Sequence, residues 1–256
     1  MSRAKILELR LKPLIASMLI LIAIAPARSQ EINSLNWLEF RYGFHTPSGD
    51  MKDRFGANTD FGAGFEMARF KSKIFIGADG AFIFSSNVKE DVVKGLRSFD
   101  GSIIGRNGQP ANVSLKERGF YLGLNAGKIF STTSHEKNIT GIRAQVGAGL
   151  LQHKIRVQDN SRNVIALERE KLKGYDRMSN GPAVHLGLGF QYQNPKNNFH
   201  FNIMGDFYAA RTQSRRDFDN PTGGYLAEKR TDILAGMTLA YVVVISRTSP
   251  PEKIYY

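Results

Sequence analysis

Large apolar side chains alternate with small or polar ones along eight stretches of this chain, at about 35–45, 58–70, 73–84, 117–130, 139–156, 181–193, 198–212 and 231–245. A period of two marks a strand whose two faces meet different surroundings. Segment 117–130 sets Phe120, Leu122, Leu124 and Ala126 against Tyr121, Gly123, Asn125 and Gly127. Segment 181–193 sets Val184, Leu186, Leu188 and Phe190 against His185, Gly187, Gly189 and Gln191. These stretches exceed the roughly 5–6 residues usual for strands in globular proteins and reach the roughly 9–11 of a tilted membrane-spanning strand.

The connections alternate as well. Short ones fall at Lys71-Ser72, Ser131–Asn138 and Asn194–Asn197, and long ones at about 46–57, 85–116, 157–180 and 213–230. Turns on one side and long loops on the other are the layout of a barrel with its turns in the periplasm and its loops outside. Both termini then lie on the turn side. The expected fold is all-β: a closed, antiparallel, eight-stranded up-and-down transmembrane barrel at about 35–245, with long extracellular loops and a tail at 246–256.

Which face meets lipid follows from the glycines. A soluble barrel would turn the second parity to water and fill it with Lys and Glu. Here that parity holds Gly43, Gly62, Gly64, Gly77, Gly123, Gly147, Gly187 and Gly236. Glycine weakens a strand by roughly 0.5–1 kcal/mol relative to alanine, but it makes room inside a narrow barrel, where bulky residues need empty positions opposite. The apolar parity therefore faces hydrocarbon. In hydrocarbon an open sheet edge is too costly, so the first and last strands must pair.

Residues 1–29 read as a signal peptide. Arg3, Lys5, Arg10 and Lys12 precede the apolar run Leu14–Ala25, and small residues follow. Cleavage after Ser29 or after Ala27 fits the small pair, leaving 30–256 as the mature domain. Removing 1–29 takes five basic side chains and one acidic from the totals of 35 and 23, so the mature chain has a net charge near +8. For an exported chain that balance points to the outer-membrane lipid, lipopolysaccharide above all, and not to nucleic acid. Cysteine is absent, which excludes thiolate metal sites, disulfides and cysteine nucleophiles.

The inward parity carries Glu39, Arg41, Asp60, Glu66, Asp79, Arg143, His185, His200 and Asp206. Pairing about a turn centred near 195–196 sets His185 opposite Asp206 and Gln191 opposite His200. Two readings follow. His185 acts as a base oriented by Asp206, or the histidines are partial metal ligands; or else the set is a hydrogen-bonded plug in which carboxylates neutralise Arg41 and Arg143. The plug is favoured, since buried polar groups need partners in any case. No cofactor or metal is expected. His45, Asp50, Asp91 and Asp217 sit near the rim without forming a recognisable catalytic set. Within the long 85–116 connection, Ile103-Ile104 is the apolar spot, read as the core of a β-hairpin or as a partner-binding site.

The signal junction Ala27-Arg-Ser-Gln30, the eight glycine-rich alternating strands and the tail Pro250–Tyr256 together resemble small outer-membrane barrels of the OmpA/OmpX type, in the variety common among Bacteroidetes. The resemblance implies outer-membrane residence. It does not fix one activity, because such barrels include tethers, adhesins, lipid A-modifying enzymes and secretion accessories. The chain departs from the type in running eleven residues beyond Ile245, which leaves either Tyr241 or Tyr255-Tyr256 as the terminal aromatic. The expected function is non-enzymatic: surface loops that bind a partner or serve an envelope or secretion assembly. The alternatives are a lipid A-modifying enzyme and a narrow pore.

Overall fold

The computed structural model describes residues 34–69, 71–131, 139–168, 171–193 and 199–248. The expected signal peptide and residues 249–256 lie outside the described residues. Eight long strands form the wall: β1 (Ser34–Gly49), β2 (Asn58–Arg69), β3 (Ile74–Ser85), β6 (Val113–Ser131), β7 (Gly141–Asp159), β8 (Ser179–Tyr192), β9 (Phe201–Ser214) and β10 (Lys229–Thr248). Each pairs antiparallel with its neighbours in sequence, and β1 pairs with β10 to close the barrel. The short strands β4 (Ile103–Ile104) and β5 (Pro110–Ala111) form a separate hairpin in the longest loop.

The faces divide as the alternation requires. Leu124 is 69% exposed and Phe82 71%, whereas Trp37 and Arg143 are buried inside. On β6 the outward side chains from Phe130 up to Phe120 are apolar save Lys128, whose ammonium lies over the Phe130 ring. Ten steps of ~3.4 Å between Phe130 and Phe120, tilted by ~40°, span about 26 Å along the axis, close to the apolar band of a membrane barrel. The inward glycines are required by packing. A Cβ on Gly127 would lie 2.5 Å from Cζ of Phe75, and one on Gly77 2.6 Å from Cγ of Glu66.

The strands run further than the alternation indicated. β1 continues to Gly49, β10 to Thr248, and β6 and β7 rise well above the band, so residues 246–248 of the expected tail belong to the wall. The long connections fold over the loop end as a cap. The one-turn helix α1 (Met51–Arg54) dips into the mouth, where Met51 and Phe55 are fully buried. Val92, Val93, Ile103, Val164 and Leu167 pack with them onto Tyr121, Leu151, Ile155 and Leu234 of the wall. The upper lumen is therefore an apolar core, and the polar residues lie mainly below it.

Candidate functional site: the lumen network and the cap cleft

All nine lumen residues read from the sequence are buried. Three of them meet at the turn end. Arg143 donates to Glu39 Oε1 at 2.6 Å and to Glu66 Oε1 at 2.5 Å, and its guanidinium lies 4.3 Å over the Phe75 ring. Gln145 and Gln191 accept its remaining hydrogens. Trp37 Nε1 and Asn202 Nδ2 both donate to Glu39 Oε1, at 3.0 and 2.8 Å. With two carboxylates and two amide oxygens around it, this cation has the dense hydrogen bonding that a buried ion pair needs.

Higher up, Arg41 pairs with Asp79, to which Asn125 also donates at 2.9 Å. Asp60 pairs with His45 at 2.8 Å. His185 Nε2 meets Asp206 Oδ1 at 2.7 Å, and its ring stacks on Tyr208 with centroids 4.2 Å apart. His200 is buried at the foot of β9, where its carbonyl accepts from the Val242 amide. Near the mouth, His153 holds Asp232 at 2.8 Å and Asn58 donates to Glu117. Among the described residues no three potential metal ligands cluster.

The strand register corrects one expectation. His185 stands opposite Tyr208, and Asp206 opposite Gly187, so the β8–β9 pairing is displaced by two residues from the expected one. Gln191 faces Asn202 and not His200. A two-residue slip keeps every side chain on its own face, so His185 still reaches Asp206 diagonally. His45 belongs to the lumen and not to the rim, because β1 continues past it. His153, Asp232, Asn125, Gln145, Gln191 and Asn202 complete the network. Each lies on the inward parity of its strand, the signal by which it is readable.

In the cap, Ile103 is 3% exposed and packs into the core, while Ile104 is 48% exposed. Arg177 bridges Glu90 and Asp219 across three loops, and Arg216 holds Asp176. That hydrogen bond raises the Arg216 guanidinium above its ordinary value. Burial, helped by the charge of nearby Arg230, pulls the Arg54 guanidinium down to about 10. Between the β7–β8 and β9–β10 loops lies a cleft of about 930 Å³, lined by Lys171, Lys173, Tyr175, Arg215, Arg216 and Phe218 among others. Cations outnumber acids along it.

No protein-family model matches the chain, and no curated protein does. Among solved structures it is similar to Ail, the attachment invasion locus protein of Yersinia pestis, in complex with the heparin analogue sucrose octasulfate. The identity is 13%, over 82% of this chain and 99% of that one, with a TM-score of 0.40. It is also similar to Neisserial surface protein A, at 11% identity over 80% and 95% of the two chains with a TM-score of 0.36. The outer membrane protein OprG from Pseudomonas aeruginosa shows 12% identity over 83% and 98%, with a TM-score of 0.37.

Proposed function

We propose that this chain is a non-enzymatic, non-conducting outer-membrane barrel whose folded cap binds a partner at the envelope surface. The observation that carries the reading is the double seal of the lumen. An apolar core with Met51 and Phe55 closes the loop end, and the Arg143 network fills the turn end. A channel leaves such a lumen open, and a lipid-modifying enzyme needs its acid–base pair within reach of lipid. Here the His185–Asp206 pair is sealed inside, with His185 fully buried. What remains accessible is the cap, where Phe99, Ile104, Phe218 and Tyr225 are exposed and Phe218, with Tyr175, lines the basic cleft. Aromatic side chains next to cations are the composition of binding hot spots. The partner is an anionic envelope glycolipid or a protein of an envelope or secretion assembly.

Photo-crosslinking residues placed at Ile104, Phe218 and, as a lipid-facing control, Leu124 test the reading in intact cells. The cap positions are expected to give a discrete adduct that the control does not. A barrel that reaches the outer membrane yet yields no adduct from any cap position contradicts the binding role.

A further inference from the structure

Above the apolar band, the outer face of β6 and β7 carries four basic residues in two facing pairs. Lys116 stands directly opposite Arg156, and Arg118 opposite Lys154. All four share the parity of the lipid-facing residues on their strands, Leu122 and Leu124 on β6 and Val146 and Leu150 on β7. Facing Cβ atoms are about 5 Å apart, and successive outward residues on a strand about 7 Å. Four positive charges therefore crowd a patch of roughly 7 by 5 Å.

Like charges directly opposite across an antiparallel pair destabilise it, and of the acids described nearby only Glu117 acts on one of the four, Arg118. Glu117 faces the lumen and accepts from Asn58. Asp176, whose carbonyl receives the Ile155 amide, has its carboxylate held by Arg216. Glu90 is shared between Arg54 and Arg177. The one hydrogen bond described for the four side chains runs from Arg118 to the Glu117 carbonyl.

Depth identifies what supplies the counter-charge. Phe82 pairs with Phe120 as the uppermost aromatic pair between β3 and β6, and Arg118 stands two residues higher, opposite Phe84. The quartet thus sits at the head-group level, directly over a greasy wall. A phosphodiester lipid brings one negative charge, too few for four cations. Two phosphate monoesters bring about three to four at pH 7.

Resting on the outer-membrane reading above, we infer that Lys116, Arg118, Lys154 and Arg156 form a binding site for the doubly phosphorylated glycolipid head group of the outer leaflet. The acyl chains of that lipid lie along Phe82, Phe120 and Leu122.

The test uses the full mature chain in zwitterionic detergent at low salt. It is offered a hexa-acylated diphosphoryl glucosamine disaccharide, its monophosphoryl form, or phosphatidylglycerol, and retention is read by native mass spectrometry. The wild type is expected to keep the diphosphoryl lipid and to hold the other two at least tenfold less. The K116Q/R118Q/K154Q/R156Q variant is expected to lose at least tenfold of that retention, while K52Q/K89Q/K94Q, on the cap, retains it unchanged. Without glycolipid the quartet variant should melt at or above the wild type, and adding the diphosphoryl lipid should raise the Tm of the wild type alone. Equal retention by the quartet variant, or equal retention of phosphatidylglycerol by the wild type, overturns the site. So does a quartet variant that melts well below the wild type in glycolipid-free detergent, which marks the four residues as structural. If neither protein inserts into phospholipid vesicles, the membrane reading itself fails; insertion without selective retention removes the site alone.

Discussion

Arg143 is the cation at the turn end of the lumen. Its guanidinium neutralises Glu39 and Glu66 at once and lies over Phe75, with 1% of its surface exposed. Removing it leaves two carboxylates buried side by side without a cation, the situation in which breaking a buried pair costs about 3–5 kcal/mol. Arg143→Ala is therefore expected to lower unfolding stability by that amount. Trp37 is the single tryptophan of the chain and touches the network through Glu39, so urea titration followed by its fluorescence reads the change directly. Adding Glu39→Gln and Glu66→Gln to Arg143→Met removes all three charges together and should recover much of the loss. If Arg143→Ala unfolds like the wild type, the network is not what holds the turn end shut.

At the scale of elements, the strands were legible in the sequence and the cap was not. Parity is set locally, because every second side chain must suit lipid or lumen, and so the nine charged or histidine residues read as inward from alternation are all buried, while His45, His153, Glu117 and Asp232, also buried, were not among them. Register is set by turn geometry. The β8–β9 pairing missed by two residues because moving the turn centre by one residue moves the register by two while leaving each face unchanged. The cap is held by contacts far apart in sequence: Phe55, Val93, Ile103 and Leu167 come from three different loops, and no periodicity announces that they meet. Ile103 and Ile104 look alike in the sequence, yet the hairpin turns one into the core and the other to solvent. Phe55 is the residue that ties the cap to the mouth, edge-on to His153 at 5.5 Å. Phe55→Ala should cost about 3–5 kcal/mol of local stability. The expected consequence is faster tryptic cleavage at Lys94 and Arg97, with the heat-dependent gel shift of the barrel retained. Unchanged cleavage kinetics would mean that the cap is held without this anchor.

For the whole molecule, an eight-stranded wall leaves an interior just wide enough for side chains, and this one is filled from both ends. Purified protein in planar bilayers should show no single-channel conductance, and the Phe55→Ala variant should show none either, since the Arg143 plug lies at the opposite end. Steps in current from the wild type would refute the sealed lumen. The orientation of the two faces has its own test, independent of any ligand. Leu124 lies mid-band on the outer face, on a strand whose apolar side chains extend from Phe130 to Phe120. An arginine there must sit in hydrocarbon, which costs about 2–4 kcal/mol near the midplane of a barrel membrane protein and falls to about 0–1 near the interfaces. Leu124→Arg should thus reduce folding into phospholipid vesicles, measured as the fraction showing the heat-dependent gel shift. Leu150→Arg, diagonal to Leu124 and facing Leu122 closer to the loop end, should reduce it less. The depth gradient is the decisive part of the measurement. A face turned to water tolerates both substitutions equally, whereas a face turned to lipid ranks them by their distance from the head groups.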